Sequence, residues 1–348
     1  MNLAIGYFKR IELANKWQIA CEHIDAEYCL IDLANSNWLE NVSKCSPDIL
    51  LLRPPGDIEI NKRAFDEIVY IIANILNINI FPTYRECLLY ENKRILSYFL
   101  AAHNIPHPDT KVFYSKLEAK AFVRSSNLPI VLKSSIGASG SGVSIAKTLD
   151  QADSLIERAF SKRGMSISVG PNTITGNILS WTKKLCVNPN ILRNKFLEYK
   201  AIHENRPRGY IIVQEYIPHD HEWRVAKIGE SYFCHKKGKY KDKCSGTTVI
   251  DYSYPSITLL EYIKQICDWQ DLVSVAIDVF EYRGKYLINE IQAIFGHVQE
   301  HILEVNGQPG RYINIDGEWI FEKGYYNINE SYDLRLKVAM DMYRDIVL

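Results

Sequence analysis

The fold of this chain is decided around the stretch Lys133-Ser-Ser-Ile-Gly-Ala-Ser-Gly-Ser-Gly-Val143. It follows Pro129-Ile-Val-Leu132, an apolar run that predicts a buried strand ending in Lys133. Glycine permits close approach and positive φ, so such a loop can fold over a polyphosphate with its backbone N–H groups directed inward. Lysine adds a positive charge for the phosphates. A flexible surface loop is the alternative that this stretch alone leaves open.

The neighbouring sequence places this loop inside a hairpin. Residues 130–133 and 143–146 are predicted to be its two strands. Capping-box patterns at Ser115-Lys-Leu-Glu118 and Thr148-Leu-Asp-Gln151 predict a helix start on either side. Because the loop does not lead into a helix N-terminus, and no GxxxxGKS/T pattern is present, the P-loop arrangement is not expected.

Composition and charge limit the classes of function. The 348 residues suffice for two or three domains, and Lys+Arg (41) equals Asp+Glu (41), so no excess charge favours nucleic acid or an anionic membrane. No apolar run approaches the roughly 20 residues that span a bilayer. The 8 cysteines are scattered without a CxxC pair, which is typical of reduced cytoplasmic thiols. We therefore expect a cytoplasmic protein, with Cys234 and Cys244 partly exposed beside a lysine-rich run.

The first 85 residues alternate between strand and helix patterns. Strands are predicted at 3–7, 27–33, 48–53 and 78–81, and helices at 16–24 and 63–76. This order predicts a small parallel sheet with helices on both faces. Ligands of such sheets bind at the carboxyl ends of the strands. Arg53 is therefore a candidate for binding a substrate carboxylate, with an ordinary surface arginine as the alternative.

The middle of the chain combines a clear helix with a less regular segment. A helix is predicted over 87–103, carrying Lys93, and Pro106 and Pro108 follow its end. Residues 163–209 are polar and rich in Asn and Pro, with weak periodicity. This segment is interpreted as an insertion: a solvated surface loop, a flexible lid, or a recognition element for an anionic acceptor.

A second informative pattern begins at Tyr210. The predicted strand Tyr210–Val213 continues into Gln214-Glu-Tyr-Ile217 and stops at Pro218, where backbone groups can face an adenine edge. Glu222 opens the next strand, and its carboxylate can accept both hydroxyls of a ribose. A plain β-turn-β segment is the alternative.

The third pattern places oxygen ligands on one surface. Two strands joined by a turn at Arg283-Gly284 carry Asp278 on one side and Glu290 with Gln292 on the other. Glu290 and Gln292 are two apart on a strand and share a face. Two carboxylates and an amide oxygen suit Mg²⁺ bound together with nucleotide phosphates. A surface hairpin with scattered acids is the alternative.

Taken in order along the chain, these patterns resemble the ATP-grasp superfamily. They are most similar to carboxylate–amine ligases such as D-alanine–D-alanine ligase, glutathione synthetase and ribosomal-protein glutamate ligases. The resemblance implies an α/β fold, α+β in the ATP-binding part, behind an N-terminal pre-ATP-grasp parallel-sheet domain. It implies domains at 1–85 (pre-ATP-grasp), 86–110 (linker helix), 111–217 (small lid subdomain, with the 163–209 insertion) and 218–348 (large subdomain with the metal site).

The resemblance also implies roles for individual residues. Lys93 and Lys133 would contact phosphates, and the loop around Ser139, Gly140 and Ser141 would close over them. Adenine and ribose contacts would come from Gln214, Glu215, Tyr216, Ile217 and Glu222. The ligands of one or two Mg²⁺ ions, with Mn²⁺ as a substitute, would be Asp278, Glu290 and Gln292.

Three departures from the family pattern affect the expected chemistry. Gln292 stands where most members have asparagine, which makes the amide ligand one methylene longer. Ala276 stands where D-alanine ligases carry an arginine that steadies the tetrahedral intermediate. Another cation must act there, and the candidates are Arg224, Lys236, Lys241 and Lys243. Gly296 lies in a loop that normally shapes the acceptor site but lacks the usual preceding proline, so the acceptor itself does not carry over.

The function implied is ATP-dependent ligation of a small-molecule or peptide carboxylate to an amine through an acyl phosphate. Two alternatives stay open: a kinase that phosphorylates a hydroxyl, and a nucleotide-binding protein without turnover. Dimers are common in the resembling family, so a homodimer is an expectation. Nucleic acid and membrane are not expected as partners.

Overall fold

The computed structural model describes residues 1–137, 141–165, 200–240, 243–244, 250–296 and 299–347. Within these ranges the strands form three sheets. Strands and helices are numbered below in chain order. No helix in the described ranges is both long and apolar enough to cross a bilayer.

The N-terminal sheet is parallel, with strand order β2-β1-β3-β4. Its strands are β1 (Leu3–Tyr7), β2 (Tyr28–Asp32), β3 (Ile49–Leu52) and β4 (Asn79–Phe81). Its helices are α1 (Asn15–Glu22), α2 (Trp38–Cys45) and α3 (Glu59–Tyr70), the last running on as a π-helical turn, Ile71–Ile75. Separate apolar clusters cover its two faces. The predicted parallel sheet with helices on both faces is therefore confirmed.

Two helices, rather than one, follow the N-terminal sheet. They are α4 (Tyr84–Leu89) and α5 (Lys93–Ala102), so the single helix predicted over 87–103 is wrong. The chain breaks at Glu91, whose φ is 46° and whose carboxylate accepts a hydrogen bond from Gly137 N at 2.9 Å. A capping box between Thr83 and Glu86 begins α4, a signal that was readable in the sequence.

The small sheet is antiparallel, with strand order β5-β8-β6-β7. It contains β5 (Thr110–Phe113), β6 (Ile130–Lys133), β7 (Val143–Ala146) and β8 (Ile211–Glu215). Helices α6 (Lys116–Arg124) and α7 (Leu149–Ala159) pack on it. Ser115 and Thr148 cap these helices, as the capping-box patterns predicted, and the β6–β7 hairpin has the predicted bounds.

The large sheet is built on a central path of order β14-β13-β9-β10-β16-β15. Its strands are β9 (His221–Ile228), β10 (Ser231–Tyr240), β11 (Lys243–Cys244), β12 (Ile250–Asp251), β13 (Ser274–Tyr282), β14 (Lys285–Gln292), β15 (Glu304–Val305), β16 (Gln308–Ile315) and β17 (Glu318–Lys323). Helices α8 (Ile257–Trp269) and α9 (Tyr332–Val347) pack against it. Cys234 is fully buried in this core, so the expectation of partial exposure is wrong. It pairs with Val225 on the apolar face of β9.

A buried carboxylate connects the N-terminal sheet to the large sheet. Glu86 on α4 is fully buried and accepts hydrogen bonds from Val273 N and Ser274 N, each at 2.5 Å, at the start of β13. Its other oxygen accepts from Thr83 N at 2.8 Å. All three N–H groups donate to the same carboxylate, so a fully hydrogen-bonded buried group links the two sheets. The domain boundaries expected at residues 85, 110 and 217 stay predictions.

Candidate active site

The centre of the large sheet carries a buried ion pair. Arg224 on β9 lies opposite Asp278 on β13, and its guanidinium donates to both carboxylate oxygens, at 2.8 and 3.0 Å. Nη2 of Arg224 also lies 3.3 Å from Oε1 of Gln292. Asp278 is 2% exposed, so this forked contact is shielded from water. Arg224 is therefore a buried cation beside Asp278, on the strand next to the one that carries Ala276.

A third buried group completes this ion pair, and sequence reasoning did not single it out. Lys237 on β10 places its Nζ 2.5 Å from Asp278 and 2.7 Å from Glu222. Lys237 pairs with Glu222 in the β9–β10 register, which puts both side chains on one face. Alternation along the lysine-rich run separates Lys237 from Lys236, which instead lies 4.8 Å from the centre of the Trp223 ring.

The phosphate-binding candidate Lys133 reaches the large sheet through an amide. Its Nζ donates to Oδ1 of Asn289 at 3.1 Å, and Nδ2 of Asn289 lies 3.3 Å from Oε1 of Glu222. Asn289 and Glu290 are successive residues, yet both reach the site because the β13–β14 register shifts next to Asp278. An irregularity of this kind redirects a side chain. Simple alternation along β14 therefore could not reveal Asn289.

Lys93 is held between the phosphate loop and the metal-ligand candidates. Its backbone N–H donates to Ser135 O at 3.0 Å, and its Nζ donates to Gly137 O at 3.2 Å. The same Nζ lies 3.4 Å from Glu290 and 3.8 Å from Glu91. The start of α5, the loop after β6 and strand β14 therefore meet at one ammonium group.

The charges in this cluster shift one another's pKa. Burial by itself would raise the pKa of Asp278, but Arg224 and Lys237 outweigh it and hold that pKa well below its usual range. Burial and the nearby ammonium of Lys93 lower the pKa of Lys133 to about 8. Perturbed groups of this kind concentrate at functional sites, although structural ion networks produce them too.

The three metal-ligand candidates meet on neighbouring strands, and each of them already contacts a cation. Asp278 and Glu290 are paired across β13 and β14, and Gln292 follows on β14. Both oxygens of Asp278 face cations, whereas Glu290 is half-buried. Within the described ranges, no three His, Cys, Asp or Glu side chains stand together as a metal site. The all-oxygen set fits Mg²⁺ in its chemistry, with phosphate and water oxygens needed to complete it.

The adenine-contact candidates lie where β8 leaves the small sheet. Gln214 is buried and its Nε2 donates to Thr110 Oγ1 at 2.9 Å, while the Glu215 side chain is exposed. Ile217 is buried, and Tyr216 Oη lies 3.4 Å from Nζ of Lys239. This segment therefore connects the small sheet to β9, and Glu222 is the second residue of β9.

Several predicted site residues lie wholly or partly outside the described structure. Ser139, Gly140 and Lys241 lie outside the described residues, and only the backbone of Lys243 is described, in β11. Ser141 is half-buried at the end of the loop. At its neighbour Gly142, an added Cβ would lie 2.6 Å from the backbone oxygen of Ile136. The loop therefore passes itself at a distance that only glycine permits.

The two substrate candidates lie in the chain that follows strands β3 and β14. Arg53 follows β3, and the loop after it packs on the site, because a Cβ at Gly56 would lie 3.0 Å from Cγ of Glu91. Gly296 is exposed and lies beyond β14. A Cβ at Gly296 would meet Oε2 of Glu330 at 3.0 Å. The loop after Arg53 therefore borders the site through Glu91, whereas the described contact of Gly296 is with Glu330, just before α9.

Comparison with known proteins finds local sequence matches, each over part of the chain. Residues 91–167 match the family described as RimK-like ATP-grasp domain. Phosphoribosylamine–glycine ligase of Pasteurella multocida is 35% identical over 80 residues, which are 23% of this chain and 19% of that enzyme. The same enzyme of Yersinia pestis is 37% identical over 93 residues, 25% of this chain and 22% of the relative. The chain thus spans about a fifth of the length of the curated relatives it matches.

Solved structures match over nearly the whole chain, at low sequence identity. D-alanine–D-alanine ligase from Bacillus anthracis gives a TM-score of 0.56 at 13% identity, covering 99% of this chain and 98% of that one. N5-carboxyaminoimidazole ribonucleotide synthetase from Thermotoga maritima gives a TM-score of 0.52 at 14% identity, covering 98% of this chain and 76% of that one. The fold is therefore the ATP-grasp fold.

The family match and the fold together define the class of protein. The whole chain has the ATP-grasp fold, as its likeness to solved structures shows. Its local sequence similarity is to the RimK-like ATP-grasp domain, over residues 91–167. The superfamily includes ATP-dependent carboxylate–amine ligases.

Proposed function

We propose that this protein is an ATP-dependent carboxylate–amine ligase that forms a C–N bond through an acyl phosphate and releases ADP and phosphate. One observation carries the proposal: Lys93 and Lys133, suited to phosphates, stand beside Glu222, Asp278 and Glu290, suited to a ribose and a divalent ion. A carboxylate on a small molecule or peptide and an amine would be the substrates. A cytoplasmic location stays a prediction.

The first step would place ATP across the small and large sheets. Adenine would lie against Gln214, Glu215, Tyr216 and Ile217, and Glu222 would accept the ribose hydroxyls. Lys93 and Lys133 would hold the phosphates, with Ser139, Gly140 and Ser141 closing over them. Lys93 now lies 3.4 Å from Glu290. A phosphate that draws Lys93 away from Glu290 would leave this carboxylate without its cation, just where a metal ligand is needed.

The metal candidates would hold one or two Mg²⁺ ions, with Mn²⁺ as a substitute. When bound, such an ion neutralises phosphate charge and polarises the transferring phosphoryl group. Asp278, Glu290 and Gln292 are the residues that would hold it. Since Asp278 already accepts from Arg224 and Lys237, loading the site requires these side chains to share or release one carboxylate oxygen.

The chemistry then needs cations where negative charge develops. A substrate carboxylate attacks the γ-phosphorus of ATP, giving an acyl phosphate and ADP. The amine attacks the acyl carbon and loses a proton, and phosphate leaves with the bonding electron pair. Arg224 and Lys237 are buried cations at this surface and would stabilise the anionic intermediate. Lys241 and Lys243 stay candidates for the same task, and Gly296 for shaping the acceptor side.

Phosphorus-31 NMR of the protein with MgATP and pooled amino acids, peptides and phosphorylated polyols tests the proposal. ADP and free phosphate that appear only when both a carboxylate and an amine are present would support a ligase. A new phosphoester signal with ADP would make the protein a kinase and overturn the proposal. ATP binding without turnover across the pools would favour a nucleotide-binding protein instead.

A further inference from the structure

Among the described residues, a buried arginine near the substrate candidates makes no ion pair with an acidic side chain. Arg335 on α9 is fully buried, and its Nη2 donates to Phe295 O at 3.0 Å. Its Nε and Nη1 are buried without a hydrogen-bond partner in the described part of the chain. A guanidinium in this state is costly, because a buried charge normally needs an opposite charge or full hydrogen bonding.

Aromatic rings offset part of this cost. The guanidinium carbon of Arg335 lies 4.1 Å from the ring centre of Phe295 and 5.0 Å from that of Tyr332. Stacking of this kind attracts a cation but satisfies none of its N–H donors. The unfilled donors of Arg335 therefore still point to a missing acceptor.

A second arginine adds to the positive charge at this place. Nε of Arg53, at the carboxyl end of β3, is likewise buried without a partner among the described residues. Burial, and then the charge of Arg53, lower the pKa of Arg335, so the two guanidinium groups lie within electrostatic range. Arg53 is half-buried, whereas Arg335 is enclosed, so a solute would reach Arg53 first.

Two carboxylates, Glu330 and Glu86, act on the pKa of Arg335 in the opposite direction, but each already has another partner. Glu86 accepts from Val273 N and Ser274 N. Glu330 is already paired with Lys16 at 3.1 Å. Glu330 stands in a run of three residues, Asn329 to Ser331, that all have positive φ. Non-glycine backbone of this kind persists only where surrounding contacts enforce it, and it concentrates at functional sites. The segment places Glu330 against Gly296, where an added Cβ would lie 3.0 Å from Oε2 of Glu330. Gly296 directly follows Phe295, whose backbone oxygen accepts from Arg335.

We propose that Arg53, backed by Arg335, binds a substrate carboxylate that is not the one activated by ATP. This inference rests on the proposed ligase function and adds a class of substrate to it: one partner in the reaction carries a free, non-reacting carboxylate. Guanidinium groups bind carboxylates through paired N–H donors. In the described part of the chain, the donors left without an acceptor are Nε of Arg53 and both Nε and Nη1 of Arg335. The position at the carboxyl end of β3, beside the chain that follows β14, suits a substrate entering next to the phosphate cluster.

The test is a titration of arginine side-chain NMR signals without nucleotide. Protein labelled with ¹⁵N-arginine receives succinate at constant ionic strength, up to about 100 mM, where even a millimolar site saturates. Arg53→Lys and Arg335→Lys variants assign the Nε–H signals. Arg344, exposed on the same helix and paired with Asp341, is the matched control. The expected result is a saturable shift at Arg53 and Arg335 but not at Arg344.

Three results would overturn the proposal: no saturable shift at either arginine, an equal shift at Arg344, or saturation by inorganic phosphate at lower concentration than by succinate. The last result would assign the site to a phosphorylated substrate. Wild-type protein supplies the main readout, so the conclusion does not depend on whether Arg335→Lys folds. Because the titration contains no ATP, a negative titration would not contradict the ligase proposal. Likewise, a negative result in the phosphorus-31 assay would not contradict a carboxylate site measured by the titration.

Once the carboxylate-bearing substrate is known, kinetics provide a second readout. Arg53→Lys should raise the KM for that substrate about tenfold and leave the KM for ATP unchanged. An equal rise in both KM values would assign Arg53 to the general shape of the site, and would contradict a carboxylate contact.

Discussion

Arg224 donates two hydrogen bonds to Asp278 from the neighbouring strand, at 2.8 and 3.0 Å, and this buried ion pair joins β9 to β13. Lys237 approaches the same carboxylate at 2.5 Å. Asp278 therefore balances two buried cations as well as being a candidate metal ligand. Its loss should affect folding and catalysis by separate routes.

Replacing Asp278 should destabilise the fold strongly. Asp278→Asn would leave Arg224 and Lys237 buried with one carboxylate fewer, a change that typically costs about 3–5 kcal/mol. Urea unfolding followed by tryptophan fluorescence measures it. Asp316→Asn, in the exposed turn between β16 and β17, is the matched control and should change the free energy of unfolding by less than about 0.5 kcal/mol. Equal stability of the two variants would contradict the paired-charge interpretation.

Lys237→Met should reduce turnover far more than nucleotide binding. Removing a buried cation that faces the developing charge is expected to lower the rate of phosphate release about hundredfold. Asp278 keeps its forked contact with Arg224, so the fold should survive. The adjacent Lys236→Met is the control, because that side chain lies over Trp223 on the opposite face of the sheet. Similar loss of turnover in both variants would refute a role specific to Lys237.

Asn289→Ala should weaken nucleotide binding about tenfold. Its amide connects Lys133 with Glu222, and hydrogen bonds to charged groups are worth about 1.5–3 kcal/mol. Isothermal titration calorimetry with MgADP measures the effect without turnover. Asn314→Ala, on the β16–β17 hairpin, serves as the control and should bind MgADP like the wild type. Unchanged affinity in Asn289→Ala would separate this amide from the nucleotide site.

The Asp66 carboxylate should give the fold an unusual dependence on pH. Burial raises its pKa to about 6, even though Lys62 lies 2.5 Å away, while Glu67 adds a smaller upward effect. A carboxyl group whose pKa is raised by folding stabilises the fold fully below its unfolded pKa near 4, and this contribution is lost as pH rises through 6. Relative to Asp66→Asn, the wild type should lose about 2–3 kcal/mol of unfolding free energy between about pH 4 and pH 7. A difference that does not vary with pH would contradict this assignment.

Much of the fold could be predicted because its signals are local. The β6–β7 hairpin follows from an apolar run on each side of a Gly/Ser loop, and Ser115 and Thr148 cap helices where their sequence patterns indicate. The helix break at Glu91 could not be predicted in the same way. It depends on a hydrogen bond to Gly137, far along the chain, which no local pattern contains.

The candidate site was predictable in its residue types but not in its pairings. Asp278, Glu290 and Gln292 form a readable strand pattern. Lys237 was missed because its partner, Glu222, is set by the β9–β10 register. Asn289 was missed because the irregular β13–β14 register brings two successive residues to one site. Strand register is determined by tertiary packing, so these pairings emerge only in the folded molecule.

The junction at Glu86 has a mechanical consequence. One carboxylate holds the start of β13 and the start of α4 together, so the N-terminal sheet and the large sheet should move as a single block. We expect the substrate-binding surface formed by these two sheets to keep its shape through a catalytic cycle. Any closing motion would then fall to the small sheet, turning about its two chain crossings near Asp109 and Pro218. Substrate selection would then depend on the rigid block of the N-terminal and large sheets, while ATP binding would depend on movement of the small sheet.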